Sequence, residues 1–175
     1  RYWWLSALYF LYYLIDRHTP ERGGKRVDYV RRLPLWKHMA EYFPAKLIKT
    51  CDLDPNYNYI VGFHPHGVLS AGSFLSFATE ATGFSNIFPG ITSHLSVLKG
   101  HFNFPIYRDW FMCSGAIAVS KRSLDYVLSG IKGRGNLVCL VVGGASEALD
   151  AHPGKYRIHI TKRTGFIKVA LRTGA

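Results

Sequence analysis

Tyr59-Ile60-Val61-Gly62-Phe63-His64-Pro65-His66-Gly67 is the stretch on which the fold turns. The β-type run 57–63 stops at Pro65, which cannot donate to a strand ladder, and Gly67 permits a tight turn after it. Two imidazoles therefore stand at the C-terminal end of a strand, where open α/β sheets place their ligands. Outward from it, 95–98, 116–119, 137–142 and 156–161 are further short β-type runs, separated by helical patterns at 72–82, 105–113, 120–131 and 164–172. Ser120 is the expected N-cap of its helix, and Gly133-Arg134-Gly135-Asn136 a turn before the most apolar strand. This alternation predicts an α/β sandwich with a mixed or parallel sheet over 57–175.

Ahead of that domain, residues 2–15 read YWWLSALYFLYYLI, without a charge. A bilayer span takes about 20 apolar residues. The chain opens at Arg1 without Met and stops at Ala175 inside a periodic apolar segment, so a longer protein is expected. Residues 1–16 are read as a truncated membrane helix whose Trp3, Trp4, Tyr9, Tyr12 and Tyr13 suit the headgroup region, with a buried aromatic helix as the alternative. No small-residue cleavage site follows, which disfavours a signal peptide. Arg17, Arg22, Lys25, Arg26, Arg31, Arg32 and Lys37 outweigh Glu21 and Asp28, the bias of a cytoplasmic flank. Leu33, Trp36, Ala40 and Phe43 recur at helical spacing, interrupted by Pro34, so 17–56 is read as a basic, partly amphipathic membrane-surface segment. A solvated surface helix is the alternative.

The chain of 175 residues carries 22 Lys+Arg against 11 Asp+Glu, a net charge of +11. No nucleic-acid-binding pattern accompanies that charge, so no nucleic-acid partner is expected. The 48% hydrophobic content excludes disorder. Cys51, Cys113 and Cys139 are odd in number and widely spaced, which excludes a disulfide framework and zinc-finger spacing; they read as buried free thiols.

Three readings of His64 and His66 stand side by side. They are an HxH metal pair needing His94 or His101 as a third ligand, a structural pair capping a turn, or a catalytic base with a helper. Glu80 shares a helix face with Ser73 and Ser76; it either orients a histidine or is solvated. In 140–147 a Gly143-Gly144 turn follows a buried run and leads to Glu147, and backbone N–H groups there suit an oxyanion or phosphate. There is no GxSxG elbow and no GxGxxG after a strand, so a serine hydrolase or dinucleotide enzyme loses support.

On these residues the sequence resembles the diacylglycerol acyltransferase type 2 family, which includes monoacylglycerol and wax-alcohol acyltransferases. The likeness runs through Asp16-Arg17, 19–24, Tyr42-Phe43-Pro44, His64-Pro65-His66-Gly67, Phe88-Pro89-Gly90, Arg108, 143–149, Pro153-Gly154 and Arg163-Thr164-Gly165-Phe166, covering essentially the whole chain. The resemblance implies the glycerolipid acyltransferase type of α/β domain, truncated at its C-terminus, behind the second helix of a membrane hairpin. It implies an endoplasmic-reticulum membrane enzyme, its catalytic part facing the cytosol and lipid droplets a further location. That enzyme moves an acyl group from acyl-CoA to a mono- or diacylglycerol, or to a long-chain alcohol. Acyl-CoA is a co-substrate; no cofactor and no metal are expected, membrane lipid is a partner, and a homo-oligomer is compatible.

In that mechanism His66 takes the hydroxyl proton, and His64 with Glu80 or Glu147 orients it. Pro65, Gly67, Gly143, Gly144, Arg163 and Lys168 are the expected substrate-binding residues, with Lys162 and Arg172 beside Arg163 and Lys168 for CoA phosphates; a solvated helix face is the alternative there. The chain departs from the wider His-x4-Asp pattern: Leu69 and Ala71 stand where the aspartate would be. The rivals are a membrane-anchored lipid-binding or scaffold protein with structural histidines, and a lipid hydrolase, for which no nucleophile is evident.

Overall fold

The computed structural model describes residues 2–161 and 163–175. Four strands form one parallel sheet: β1 (Tyr59–Phe63), β2 (Thr92–Val97), β3 (Ala116–Ala118) and β4 (Asn136–Val141), in the order β1-β4-β2-β3. β4 lies inside the sheet and both of its faces are covered, which is why it reads as an unbroken apolar run. Nine helices are described: α1 (Trp3–Asp16), α2 (Asp28–Arg31), α3 (Pro34–Tyr42), α4 (Ala71–Ser73), α5 (Phe84–Ile87), α6 (Tyr107–Cys113), α7 (Lys121–Leu128), α8 (Gly144–Leu149) and α9 (Gly165–Thr173). The sheet is thus all parallel rather than mixed.

Side chains alternate across each strand and sort the helices into two layers. On one face Val61, Phe63, Leu95 and Cys139 pack with Phe77, Phe84 and Ile91. On the other, Ile60, Ile117, Val138 and Leu140 meet Leu124, Val127, Leu128 and Val169 of α7 and α9. Ser120 caps α7 as its sequence position suggests, its hydroxyl accepting the Ser123 N–H at 3.2 Å.

Several expectations are corrected. The helix expected over 72–82 is one turn of α4 continued as a π-helical turn, Phe74–Ala78. Thr79 is extended and its hydroxyl bonds back to the Leu75 carbonyl at 2.6 Å, which ends the helix before Glu80. Pro34 does not interrupt α3; it occupies the first helical position, where its missing N–H costs nothing. The run 156–161 is not a strand: its alternating residues are exposed and no strand pairs with it among the described residues. Cys51 is exposed, while Cys139 is buried.

α1 has fourteen residues, about 21 Å long at ~1.5 Å per residue, and buries none of them. Among the described residues no helix is long and apolar enough to cross a membrane. α1 is nevertheless fastened to the domain by its polar atoms. Tyr9 and Tyr12 donate to Asp109 at 2.5 and 2.8 Å, and Asp16 receives the fully buried Arg108 guanidinium at 3.0 Å on its carboxylate and 2.9 Å on its carbonyl. The segment that follows is also packed inward. Trp36 and Ala40 of α3 are buried, with the Trp36 ring 5.3 Å from Phe74 and 5.6 Å from Trp110, whereas Leu35, Tyr42 and Phe43 stay exposed.

Candidate active site

Parallel pairing of β1 with β4 puts Gly62 beside Leu140 and Phe63 beside Val141, so the chain leaves both strands at one edge of the sheet. His64-Pro65-His66-Gly67 follows β1, and Gly143 with α8 follows β4. Glu147, buried on α8, faces the histidine turn. Its Oε1 lies 3.2 Å from His64 Nδ1, its Oε2 accepts the His66 backbone N–H at 2.7 Å, and Oε1 accepts the His159 N–H at 2.8 Å. Burial alone would raise the Glu147 carboxyl; the two backbone donors and the His64 ring outweigh it and hold the group below the usual carboxylate range.

A carboxylate and a carbonyl can only accept, which sets both imidazole tautomers. His64 directs Nδ1–H at Glu147, leaving Nε2 buried over Gly62 without a hydrogen-bond partner among the described residues. His66 directs Nδ1–H at the Gly67 carbonyl, 2.8 Å away, which leaves the Nε2 lone pair as the basic atom. Gly67 has φ +62°, a left-handed backbone that a glycine adopts without strain. The His64–Pro65 peptide bond is cis.

A cavity of about 430 Å³ opens beside His66, with Pro65 and Gly67 in its wall and Phe43, Phe63, Val68 and Leu69 making it apolar. Gly143 serves a purpose the sequence did not suggest. A Cβ there would fall on the Glu147 carboxylate, so the glycine makes room for the charge. Gly144 has φ +58°, and a Cβ at 144 would stand 3.9 Å from Arg163 Nη2. Lys168 lies away from the histidines, in a second cavity between α7 and α9. Lys162 lies outside the described residues.

Glu80 is not brought to the histidines. It accepts from Arg31 at 2.9 and 3.2 Å, from Arg26 at 3.4 Å, and from the Ser85 N–H and hydroxyl at 3.0 Å each. Arg31 is fully buried and also donates to the carbonyls of Phe77, Thr79 and Ser114, so Glu80 is the counter-charge of a structural arginine. Its extended approach through Thr79 turns it towards α2, away from the end of β1. His94 is buried within β2 beside Asn136, and among the described residues no group of three or more His, Cys, Asp or Glu is placed to hold a metal ion. His159 was not singled out by sequence, because it sits in the run that reads as a strand. Its N–H serves Glu147, and its ring meets Asp150 at 2.7 Å.

The sequence profile of the diacylglycerol acyltransferase family matches residues 1–175. The chain is 49% identical over 174 residues to 2-acylglycerol O-acyltransferase 1 of Bos taurus, covering 99% of this chain and 52% of that protein. It is 48% identical over 174 residues to diacylglycerol O-acyltransferase 2 of Danio rerio, covering 99% of this chain and 48% of the relative. Against acyl-CoA wax alcohol acyltransferase 1 of Mus musculus the identity is 50% over 173 residues, covering 99% and 52%. The chain thus spans about half the length of these curated relatives. No solved structure gives a significant match.

Proposed function

Since this chain belongs to the diacylglycerol acyltransferase family, we propose that its protein moves a fatty acyl group from acyl-CoA to the hydroxyl of a mono- or diacylglycerol, with His66 as general base. One observation carries this reading: the basic Nε2 of His66 is left free by the Gly67 bond and stands at an apolar cavity suited to hydrocarbon. As the acceptor hydroxyl attacks the thioester carbonyl, its proton passes to His66 Nε2. A C–O bond forms, the C–S bond breaks, and the CoA thiolate takes up the proton that the imidazolium returns. Base catalysis of this kind contributes about 10²–10⁴-fold. Glu147 fixes the His64 ring and the His66 main chain, so the turn is held before substrate arrives.

The acceptor is water-insoluble, and the exposed Trp3, Trp4, Leu8 and Phe10 of α1 suit a protein that works at a membrane, here that of the endoplasmic reticulum with the site on the cytosolic side. The buried Nε2 of His64, without a hydrogen-bond partner among the described residues, favours a second reading in which His64 is the base. A long-chain alcohol as acceptor is the alternative suggested by the wax-alcohol relative.

Labelled acyl-CoA given to the full-length protein with monoacylglycerol, diacylglycerol or a long-chain alcohol should yield labelled ester with an acylglycerol. His66→Ala should abolish it at matched folding. Ester formation by His66→Ala at the wild-type rate would overturn the assignment of the base, and no ester with any acceptor would overturn the reaction.

A further inference from the structure

The cavity beside His66 lies on the Phe77 face of the sheet, since Phe63 in its wall packs on Phe77. A second cavity, of about 460 Å³, lies on the opposite face between α7 and α9, at the same C-terminal edge. Its floor is Leu140 and its walls Leu124, Phe166 and Val169, with Lys121, Lys168 and Arg172 at the rim. Arg172 is neutralised by Asp125, whereas Lys121 and Lys168 have no acidic partner among the described residues.

From these cations a half-buried strip of sheet, exposed at Gly62, leads to the histidine turn. Leu140 pairs across the ladder with Gly62, and Ile60, Gly62 and His64 share the α7–α9 face by alternation. Gly62 is exposed, and a Cβ there would come to 3.3 Å from Val142 Cγ2 and 3.6 Å from His64 Nε2. A slender chain laid over Gly62 would join the cationic cavity to the reacting carbonyl. A thioester donor has this shape: a phosphate-bearing end, a thin arm and a hydrocarbon tail.

We infer that the cavity between α7 and α9 takes the phosphate-bearing end of the acyl donor, gripped by Lys121 and Lys168, and that its arm crosses Gly62 to the histidine turn. The inference rests on the acyl-CoA reading above and assigns the two substrates to opposite faces of the sheet. Both lysines are exposed, so their replacement leaves the core intact.

The test uses the full-length protein and its Lys121→Ala/Lys168→Ala variant. CoA binding is measured by calorimetry, without turnover, and transfer is measured from acyl-CoA and from acyl-pantetheine, which lacks the nucleotide phosphates. The variant should bind CoA about tenfold more weakly or worse, equivalent to about 1.4 kcal/mol. Its KM for acyl-CoA should rise with kcat little changed, while acyl-pantetheine kinetics stay as in wild type. Equal CoA affinity in the two proteins would overturn the site whatever their activity, as would failure of wild type to bind CoA. So would a variant that loses only its adhesion to phosphatidylserine vesicles, which would assign the lysines to lipid headgroups. CoA bound by wild type but no acyl transferred to any acceptor would instead overturn the reaction and leave the phosphate site standing.

Discussion

Glu147 holds His66 by the main chain: its Oε2 accepts the backbone N–H at 2.7 Å, while the His66 ring turns away to the Gly67 carbonyl. The carboxylate thus sets where the imidazole stands, and the carbonyl sets which nitrogen keeps its lone pair. Removing the carboxylate should disturb position before it disturbs proton affinity.

Glu147→Ala should therefore lower kcat by roughly 10²-fold, the low end of what a well-placed base contributes. Glu80→Gln should keep wild-type turnover per folded molecule, because its partner is Arg31. Initial rates normalised to the folded fraction decide it, and an inactive, folded Glu80→Gln enzyme would return Glu80 to the site.

His66→Gln should be nearly inactive, since an amide offers no base at the position of Nε2. His64→Gln can still donate to Glu147 and should retain partial activity. Steady-state kinetics on both variants at matched folding separates the roles; the reverse order of rates would move the base to His64.

Gly143→Ala should mimic Glu147→Ala in rate while leaving the fold in place. The added methyl group contests the space of the carboxylate, and φ at 143 is −66°, so backbone conformation is not at issue. Full activity with an unchanged melting temperature would mean that Glu147 can move aside harmlessly.

His94 gives the fold an acid-sensitive limb. Burial, with Lys132 beside it, lowers this imidazole to about 3, against about 6.5 in an unfolded chain. Above the unfolded value both states are neutral and no stability is lost. Below it only the unfolded state takes up the proton, so stability falls with pH at up to about 1.4 kcal/mol per unit until the folded value is reached. His94→Gln should flatten the melting temperature between about pH 6.5 and pH 4; an unchanged slope would assign the limb to other groups.

Much of the sheet edge was legible in the chain. The strand before His64, the turn at Gly143 and the helix capped by Ser120 follow from local pattern, because each depends on neighbours in sequence. What was not legible depends on pairing. Glu80 and Glu147 look equivalent as letters, and only β1 lying beside β4 brings a carboxylate 83 residues away onto His64. The alternation in 156–161 suits a half-buried strand, yet without a partner strand among the described residues it lies exposed, and His159 contributes a backbone N–H instead. Gly143 resembles an anion-binding turn, but its missing side chain is used for space, which no sequence pattern displays.

The grip of Asp16 on Arg108 decides where the polypeptide can be shortened. An obvious cut for a more soluble version is just after the apolar helix, at Arg17. That cut removes the last helical residue, whose carboxylate and carbonyl both hold a guanidinium with no exposure to solvent. Breaking a buried ion pair typically destabilises by about 3–5 kcal/mol, and Asp109, at 3.4 Å, would be the one carboxylate left among the described residues to accept from Arg108. Trimming is better begun upstream, with Asp16 retained and the aromatic face of the helix made polar by substitution. A soluble form made by excision and one made by resurfacing would carry the same two histidines and Glu147, but only the second would keep Asp16 on α6.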